Sequence, residues 1–377
     1  MIPFLSLKKA NEEILPEILA AVERVTKSGW YILGEECKRF EQNLASDLTG
    51  GKSGFVAGCK SGTDALVLSL KAAGVSYGDE VVTVAHTAIP TITAIISAGA
   101  SPVFVDIDPE TWVMNVGQVR DAVTERTKAV VPVHLYGNMA DVVGLESLLK
   151  EMGRGDIAVV EDCAQAQGAF LHGKQAGTWG DFGAYSFYPS KNIGALGDGG
   201  AVFTQSEASY QKLLMYRNYG QRDRYNAALK GGLNSRLDEM QAAILDVKLR
   251  HLHEWNVRKE RLMAIYREVL AGLPLSFQKP TDSCRPAWHL CVAAVDDGID
   301  RDKVMEKMEE RGLQTLVHYP HPAHTQAAFQ GYRHGNLGHT ESLAGRIFSL
   351  PFGYAMQEED VREVAGIVKG VLEGWRP

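Results

Sequence analysis

Apolar positions follow two spacings that alternate along this chain. Ile14, Ile18, Val22 and Val25 fall three or four apart and predict an amphipathic helix ending at the glycine turn of Gly29. Short unbroken apolar runs follow. Glu80 to Val84, Pro102 to Val105, Ala129 to Val133 and Ile157 to Val160 read as strands covered on both faces, with helical patterns such as Asp141 to Met152 between them. Strands alternating with helices predict a mainly parallel sheet layered by helices. Ala184 to Tyr188 reads as a further short strand ended by Pro189, and Ala201 to Thr204 as the next. After Arg236 a helical pattern runs through Leu237, Ile244, Leu252, Trp255 and Leu262 to Leu270, predicting one long connecting helix before Gly272-Leu273-Pro274. Strand-like Trp288 to Val295, helix-like Asp302 to Arg311 and a last helix from Glu358 to Leu372 then predict a smaller α+β unit. The expected division is a large α/β domain over 1–250 and a small C-terminal α+β domain over 251–377.

Val81 to Val105 contains no Asp, Glu, Lys or Arg over 25 residues, which is long enough to cross a bilayer. Pro90, Gly99, Pro102 and four threonines divide it instead into strand, turn, short helix and strand, so no membrane span is expected. With 377 residues, 45% hydrophobic and 23% charged, the chain can bury a large core, which excludes a disordered protein. A net charge of −7 and dispersed Lys and Arg disfavour nucleic-acid binding. One local cluster, Arg217, Arg222, Arg224, Lys230 and Arg236, could meet a diphosphate or could simply be a solvated loop. The five cysteines show neither metal-ligand spacing nor a disulfide framework. The N-terminus lacks the charged-then-apolar order of a signal peptide, and a cytoplasmic location is expected.

Three short segments carry candidate chemistry. Lys191 lies between an apolar strand and the glycine-rich run Gly194-Ala195-Leu196-Gly197-Asp198-Gly199-Gly200, a place where an amine can be desolvated and offered to a carbonyl. Asp162 ends the apolar run Ile157 to Val160, where side chains of open α/β sheets do chemistry; it could hold a pyridinium proton, with Gln165 on a phenolic oxygen, or could cap a helix. Lys60-Ser61-Gly62-Thr63-Asp64-Ala65-Leu66 opens a helix whose free N–H groups and Thr63 hydroxyl suit a phosphate, or only a cap. Cys163 reads as a small buried residue.

Together the Ser-Gly-Thr-Asp-Ala-Leu turn, the Glu161-Asp162-Cys163-Ala164-Gln165 strand end and Ser186-Phe187-Tyr188-Pro189-Ser190-Lys191-Asn192 resemble the DegT/DnrJ/EryC1/StrS sugar aminotransferases. Ser28 to Gly34, Val103 to Asp108, Val133 to Gly137 and Gly232 to Ala242 read like that family in the same order. The resemblance implies the aspartate-aminotransferase-like fold (PLP fold type I), pyridoxal 5'-phosphate as cofactor, L-glutamate as amino donor, and a homodimer with shared active sites. It implies that Lys191 binds the cofactor covalently and then acts as base, with Asp162 on the ring nitrogen and His86 stacked on the ring. Gly62, Thr63 and Ser186 would take the phosphate, with Asn234 reaching it from the partner subunit. His86-Thr87, Tyr188, His318-Tyr319-Pro320 and His324 are most similar to enzymes aminating carbon 3 of a dTDP-3-keto-6-deoxyhexose; Tyr31, Arg217 and Tyr219 join them as expected substrate contacts. Carbon-4 and amino-cyclitol aminotransferases share most of this pattern. A dehydratase relative would carry histidine in place of Lys191, and a non-catalytic regulator is the remaining alternative.

Overall fold

The computed structural model describes residues 1–375. Its largest sheet has seven strands: β1 Phe55–Cys59, β2 Glu80–Val84, β3 Ser101–Val105, β4 Thr127–Val130, β5 Ala158–Asp162, β6 Phe182–Ser186 and β7 Gly200–Thr204, in the order β1-β7-β6-β5-β4-β2-β3. Neighbours from β6 through β5, β4 and β2 to β3 are parallel, whereas β7 is antiparallel to both β6 and β1. Only β7 therefore runs against the others. All five residues of β2, β6 and β7 are buried, which is why these strands read as continuous apolar runs without alternation.

Helices cover both faces. Gly62–Ala72 and Ile89–Ser97 pack together over one core that includes Leu66, Leu70, Ile95 and Val202. On the other side, Leu15–Ser28 and Glu35–Thr49 pack on Glu239–Leu249 around Ile18, Phe40, Leu245 and Trp255. Glu239, 2% exposed, accepts from the backbone N–H groups of Gly34, Glu36 and Cys37 at 2.7 to 2.9 Å. It thereby satisfies the start of Glu35–Thr49, where no side chain of that helix's own N-cap does so.

The C-terminal part forms a three-stranded antiparallel sheet, β8 Leu275–Phe277, β9 Cys291–Val295 and β10 Ile347–Leu350, with β9 central. Arg301–Glu310 and Glu358–Leu372 close its core around Val304, Phe348 and Val364. Among the described residues no helix is long and apolar enough to cross a membrane.

Several expected elements differ: the strand expected over Ala184 to Tyr188 is Phe182–Ser186 and ends before Pro189, and that expected over Ala129 to Val133 is Thr127–Val130. The long connecting helix is two helices, Glu239–Leu249 and Leu252–Val269, separated at Arg250-His251. The first is buried on nearly every side within the sheet-domain core; the second starts there with Leu252 and Trp255 and crosses to the C-terminal core with Leu262 and Tyr266. The strand expected from Trp288 begins only at Cys291, because Trp288 sits at φ 45° in the left-handed region. The backbone there is pinned to the turn at Tyr136-Gly137, with Ala287 and His289 N–H donating to the carbonyls of Gly137 and Tyr136.

Candidate active site

The parallel strands deliver their C-terminal ends to one edge of the sheet, and the expected cofactor residues gather there. Gly62 and Thr63 open the helix Gly62–Ala72, and Ser61 caps it by accepting from Asp64 N–H at 3.1 Å. A side chain on Gly62 would meet Ser186 Cβ at 2.4 Å, and one on Gly200 would meet the Ser61 carbonyl at 2.3 Å. Only glycine lets the helix start sit this close to β6 and β7. Among the described residues, Gly62 and Thr63 N–H have no acceptor, and the Ser186 hydroxyl lies beside them, so three donors converge at the positive end of the helix.

Lys191 stands on the link from β6 to β7. Its N–H donates to Tyr188 O at 2.8 Å, and Gly194 is packed so tightly on Pro189 that an added Cβ would meet the Pro189 carbonyl at 2.3 Å. Burial lowers the Lys191 pKa to about 8, with the negative charge of Asp162 pulling it back up. Asp162, 4% exposed, accepts from Ala164 N–H at 3.1 Å and from the Thr91 hydroxyl at 2.8 Å. Burial raises its pKa; those two hydrogen bonds and Lys191 oppose the rise.

The next carboxylate on the strand faces the other way. Glu161 accepts from His134 Nε2 at 2.9 Å and from the N–H groups of Gly177, Trp179 and Gly180 at 2.8 Å, while His134 Nδ1 accepts from Ala140 N–H. His134, Glu161 and Cys163 come close enough to suggest a metal. Glu161 and His134 already spend their lone pairs on internal donors, so the cluster ties down the end of β5 and thereby Asp162.

His86 is 1% exposed, and burial lowers its pKa to about 4, so its ring is neutral. Tyr136 OH donates to the His318 carbonyl, so the 2.8 Å bond to His86 must come from Nε2–H. Among the described residues, Nδ1 is left as a buried acceptor without a partner. Gln165 accepts from Tyr136 N–H at 2.7 Å and donates to Tyr319 OH at 3.1 Å, which leaves one amide N–H. Tyr319 therefore joins the site, and burial pushes its pKa up to about 12. His318 Nδ1 pairs with Ser349 Oγ at 2.8 Å, and burial lowers its pKa to about 4. The donors and acceptors present fit pyridoxal phosphate. Converging N–H and hydroxyl groups suit the phosphate, an acid suits the ring nitrogen, and a low-pKa amine suits the aldehyde.

Other expected contacts lie elsewhere. Arg217 lies apart from the cofactor residues: it is buried, and its Nη1 donates to Glu41 and to the Gly58 carbonyl of β1. Arg236 donates to Asn218 Oδ1 at 3.3 Å and lies over the Tyr219 ring at the surface, apart from buried Arg217. His324 Nε2 pairs with Glu341 at 3.0 Å, and the neighbouring Ala323 N–H donates to Ala85 O beside His86. Tyr31, Tyr188 and Tyr219 are about half exposed, and Asn234 is exposed, lining a surface hollow with Lys60, Arg236 and Asp238. Thr91 and Tyr136 were not anticipated. A hydroxyl just after the His86 turn and a tyrosine before Gly137 were the available signals.

Lys191 makes stability depend on pH in a definite direction. Its folded pKa of about 8 lies below the ordinary 10.5, so the unfolded chain binds more protons in that window and stability rises with pH through it. Urea stability of wild type minus Lys191→Met, measured from about pH 7 to about pH 10.5 without cofactor, is expected to increase. A flat difference would show that the amine titrates normally.

Comparison with known proteins agrees with this geometry. The chain is 40% identical to the dTDP-3-amino-3,4,6-trideoxy-alpha-D-glucose transaminase of Streptomyces venezuelae over 98% of its length and 95% of the relative's. It is 39% identical to the dTDP-3-amino-3,6-dideoxy-alpha-D-galactopyranose transaminase of Aneurinibacillus thermoaerophilus over 98% and 99%. The crystal structure of S. venezuelae DesV in complex with a ketimine intermediate superposes with a TM-score of 0.94 at 40% identity, covering 100% of this chain and 99% of that one. The model of one family spans residues 12–369, nearly every element that builds the sheet edge and its lysine. With its aspartate-aminotransferase-like fold and its pyridoxal-phosphate site, this chain belongs to the DegT/DnrJ/EryC1/StrS aminotransferase family.

Proposed function

We propose that the enzyme transfers an amino group from L-glutamate to carbon 3 of a dTDP-3-keto-6-deoxyhexose. The observation that carries the reading is the enclosed Lys191 amine beside the buried Asp162 carboxylate, at the sheet edge that also holds a free helix N-terminus. Pyridoxal phosphate, when bound, supplies an electron sink for negative charge at the donor's α-carbon. Lys191 Nζ would anchor the cofactor and would be the base for the proton at that carbon; its lowered pKa keeps a usable fraction neutral near pH 7. Gly62, Thr63 and Ser186 bind the phosphate. Asp162 would hold the proton of the pyridine nitrogen, and neutral His86 would face the ring without a charge to desolvate. His318, Tyr319, Tyr188 and Tyr31 meet the sugar nucleotide.

The same reading calls for a homodimer. Ile32 and Tyr31 are exposed, and so are Leu196 and Tyr219, which adjoin the hollow holding Asn234 through Gly197 and Arg236. Exposed aromatics around a polar hollow are the kind of surface that a second copy covers, which brings Asn234 to the partner's phosphate site. All five cysteines are unpaired, in keeping with a reducing cytoplasm. The relatives aminating carbon 3 supply the regiochemistry.

The test is turnover with glutamate on a panel of dTDP- and UDP-linked 3-keto and 4-keto sugars, read as 2-oxoglutarate release and product mass. The dTDP-3-keto sugar is expected to exceed any 4-keto sugar by about 100-fold in kcat/KM. Preference for a 4-keto sugar or a cyclitol would refute the substrate, and release of water without transfer would indicate a dehydratase.

A further inference from the structure

A cavity of about 330 Å3 lies behind the Lys191 loop: Lys191 itself lines it, but none of Gly62, Thr63, His86, Asp162, Gln165 or Ser186 does. Its walls come from residues 189–194, the helices Glu239–Leu249 and Leu252–Val269, the N-terminal segment and the chain around Phe352. Two lysines line it that the proposed reaction does not use. Lys248 and Lys259 are each 3% exposed; Lys248 donates to Gly194 O at 2.6 Å and Lys259 to Ala287 O at 2.8 Å. Neither has a carboxylate partner among the described residues, and each amine has hydrogen-bonding capacity left. Enclosing a cation without a counter-charge is costly, and burial accordingly lowers the Lys248 pKa to about 8 and that of Lys259 further.

The remaining lining is divided by character. Ile2, Phe4, Leu5, Phe352 and Met356 give it an apolar side. The other titratable side chains are Lys9, Lys191, His289, Tyr354, Asp360 and Glu363. His289 Nδ1 is paired with Asn192 Oδ1 at 3.2 Å, and Asp360 accepts from Gln357 N–H at 3.0 Å as part of a helix cap. The volume falls at the small end of ligand pockets, which suits a compact occupant.

We propose that this cavity is a second binding site, taking an amphipathic carboxylate whose anionic head pairs with Lys248 and Lys259 and whose body lies against Ile2, Phe4 and Phe352. The anion supplies the counter-charge that the two buried amines lack. Occupancy also bears on the active site. Lys248 holds the carbonyl of Gly194, three residues from Lys191, and Lys259 shares the Ala287 carbonyl with the Asn192 side chain.

Calorimetric titration of the cofactor-loaded enzyme with hexanoate, hexan-1-ol and hexylamine tests this. Hexanoate is expected to saturate one site per chain, with hexan-1-ol at least about tenfold weaker and hexylamine absent. Lys248→Met and Lys259→Met should each weaken hexanoate by about tenfold or more while the cofactor absorbance stays unchanged. Should either variant fail to fold, wild type decides alone: at about pH 9 hexanoate should bind with proton uptake, since pairing recharges an amine, and more weakly than at about pH 7. The proposal falls if hexanoate shows no saturation to about 20 mM, binds no better than hexan-1-ol, or displaces the cofactor. Unchanged affinity in both folded variants, or binding at about pH 9 without proton uptake, would overturn it equally.

Discussion

Lys191→Ala is expected to leave no covalent cofactor adduct after borohydride reduction and to lower turnover by about four powers of ten or more, since one residue serves as both anchor and base. The size of its advantage follows from its surroundings. At pH 7 a lysine with a pKa of about 8 is roughly one-tenth neutral, whereas an unperturbed one at about 10.4 is neutral in only about one molecule in 2,500. Burial therefore raises the supply of free amine some 200-fold, and neither Lys248 nor Lys259 replaces it, because each is hydrogen-bonded to a backbone carbonyl and lines the cavity behind the Lys191 loop. Peptide mass mapping after reduction checks the site of attachment. An undiminished adduct in Lys191→Ala, or a rate within about tenfold of wild type, would move the assignment to another amine.

How much of this was legible in the sequence depended on how locally each feature is determined. Strands β2 to β6 were visible because a parallel strand buried on both faces must be apolar throughout, and β7 because it too is buried along its whole length. Lys191, Asp162 and the Gly62-Thr63 turn were visible because each lies at the end of such a run, where short glycine-rich or small-residue segments are required by close approach. Errors arose where a distant partner decides the outcome. Arg217 reads as a surface cation until Glu41, 176 residues earlier, is found beside it. Thr91 acquires a role only because Asp162, 71 residues later, accepts its hydroxyl. The break at Arg250-His251 has no proline or glycine to announce it; the first helix belongs to one core, and the second passes from that core to another. Trp288 favours a strand by type but is held left-handed by backbone contacts to Tyr136-Gly137.

Asp162→Asn is expected to retain the fold and the cofactor yet lose about two to three powers of ten in turnover. The substitution keeps the shape of the side chain. Its remaining oxygen can accept from Ala164 N–H, and Thr91, which also contacts Thr87 at 2.9 Å, can accept from the new amide N–H. Packing around β5 should therefore survive, the more so because Glu161 and His134 fasten that strand end independently. What is lost is a buried negative charge. Burial raises its folded pKa, while its hydrogen bonds, Lys191 and, when the cofactor is bound, the positive ring nitrogen it would pair with all favour the ionised form. An amide cannot hold that proton, and the ring then withdraws electrons poorly from the donor's α-carbon. Thr91→Val provides the comparison: it removes one hydrogen bond to Asp162 but keeps the charge, and should cost only about tenfold. Single-turnover rates with glutamate alone, read beside cofactor content, separate weak catalysis from lost cofactor. Turnover in Asp162→Asn within about threefold of wild type would show that the ring nitrogen works unprotonated or is held by a different acid.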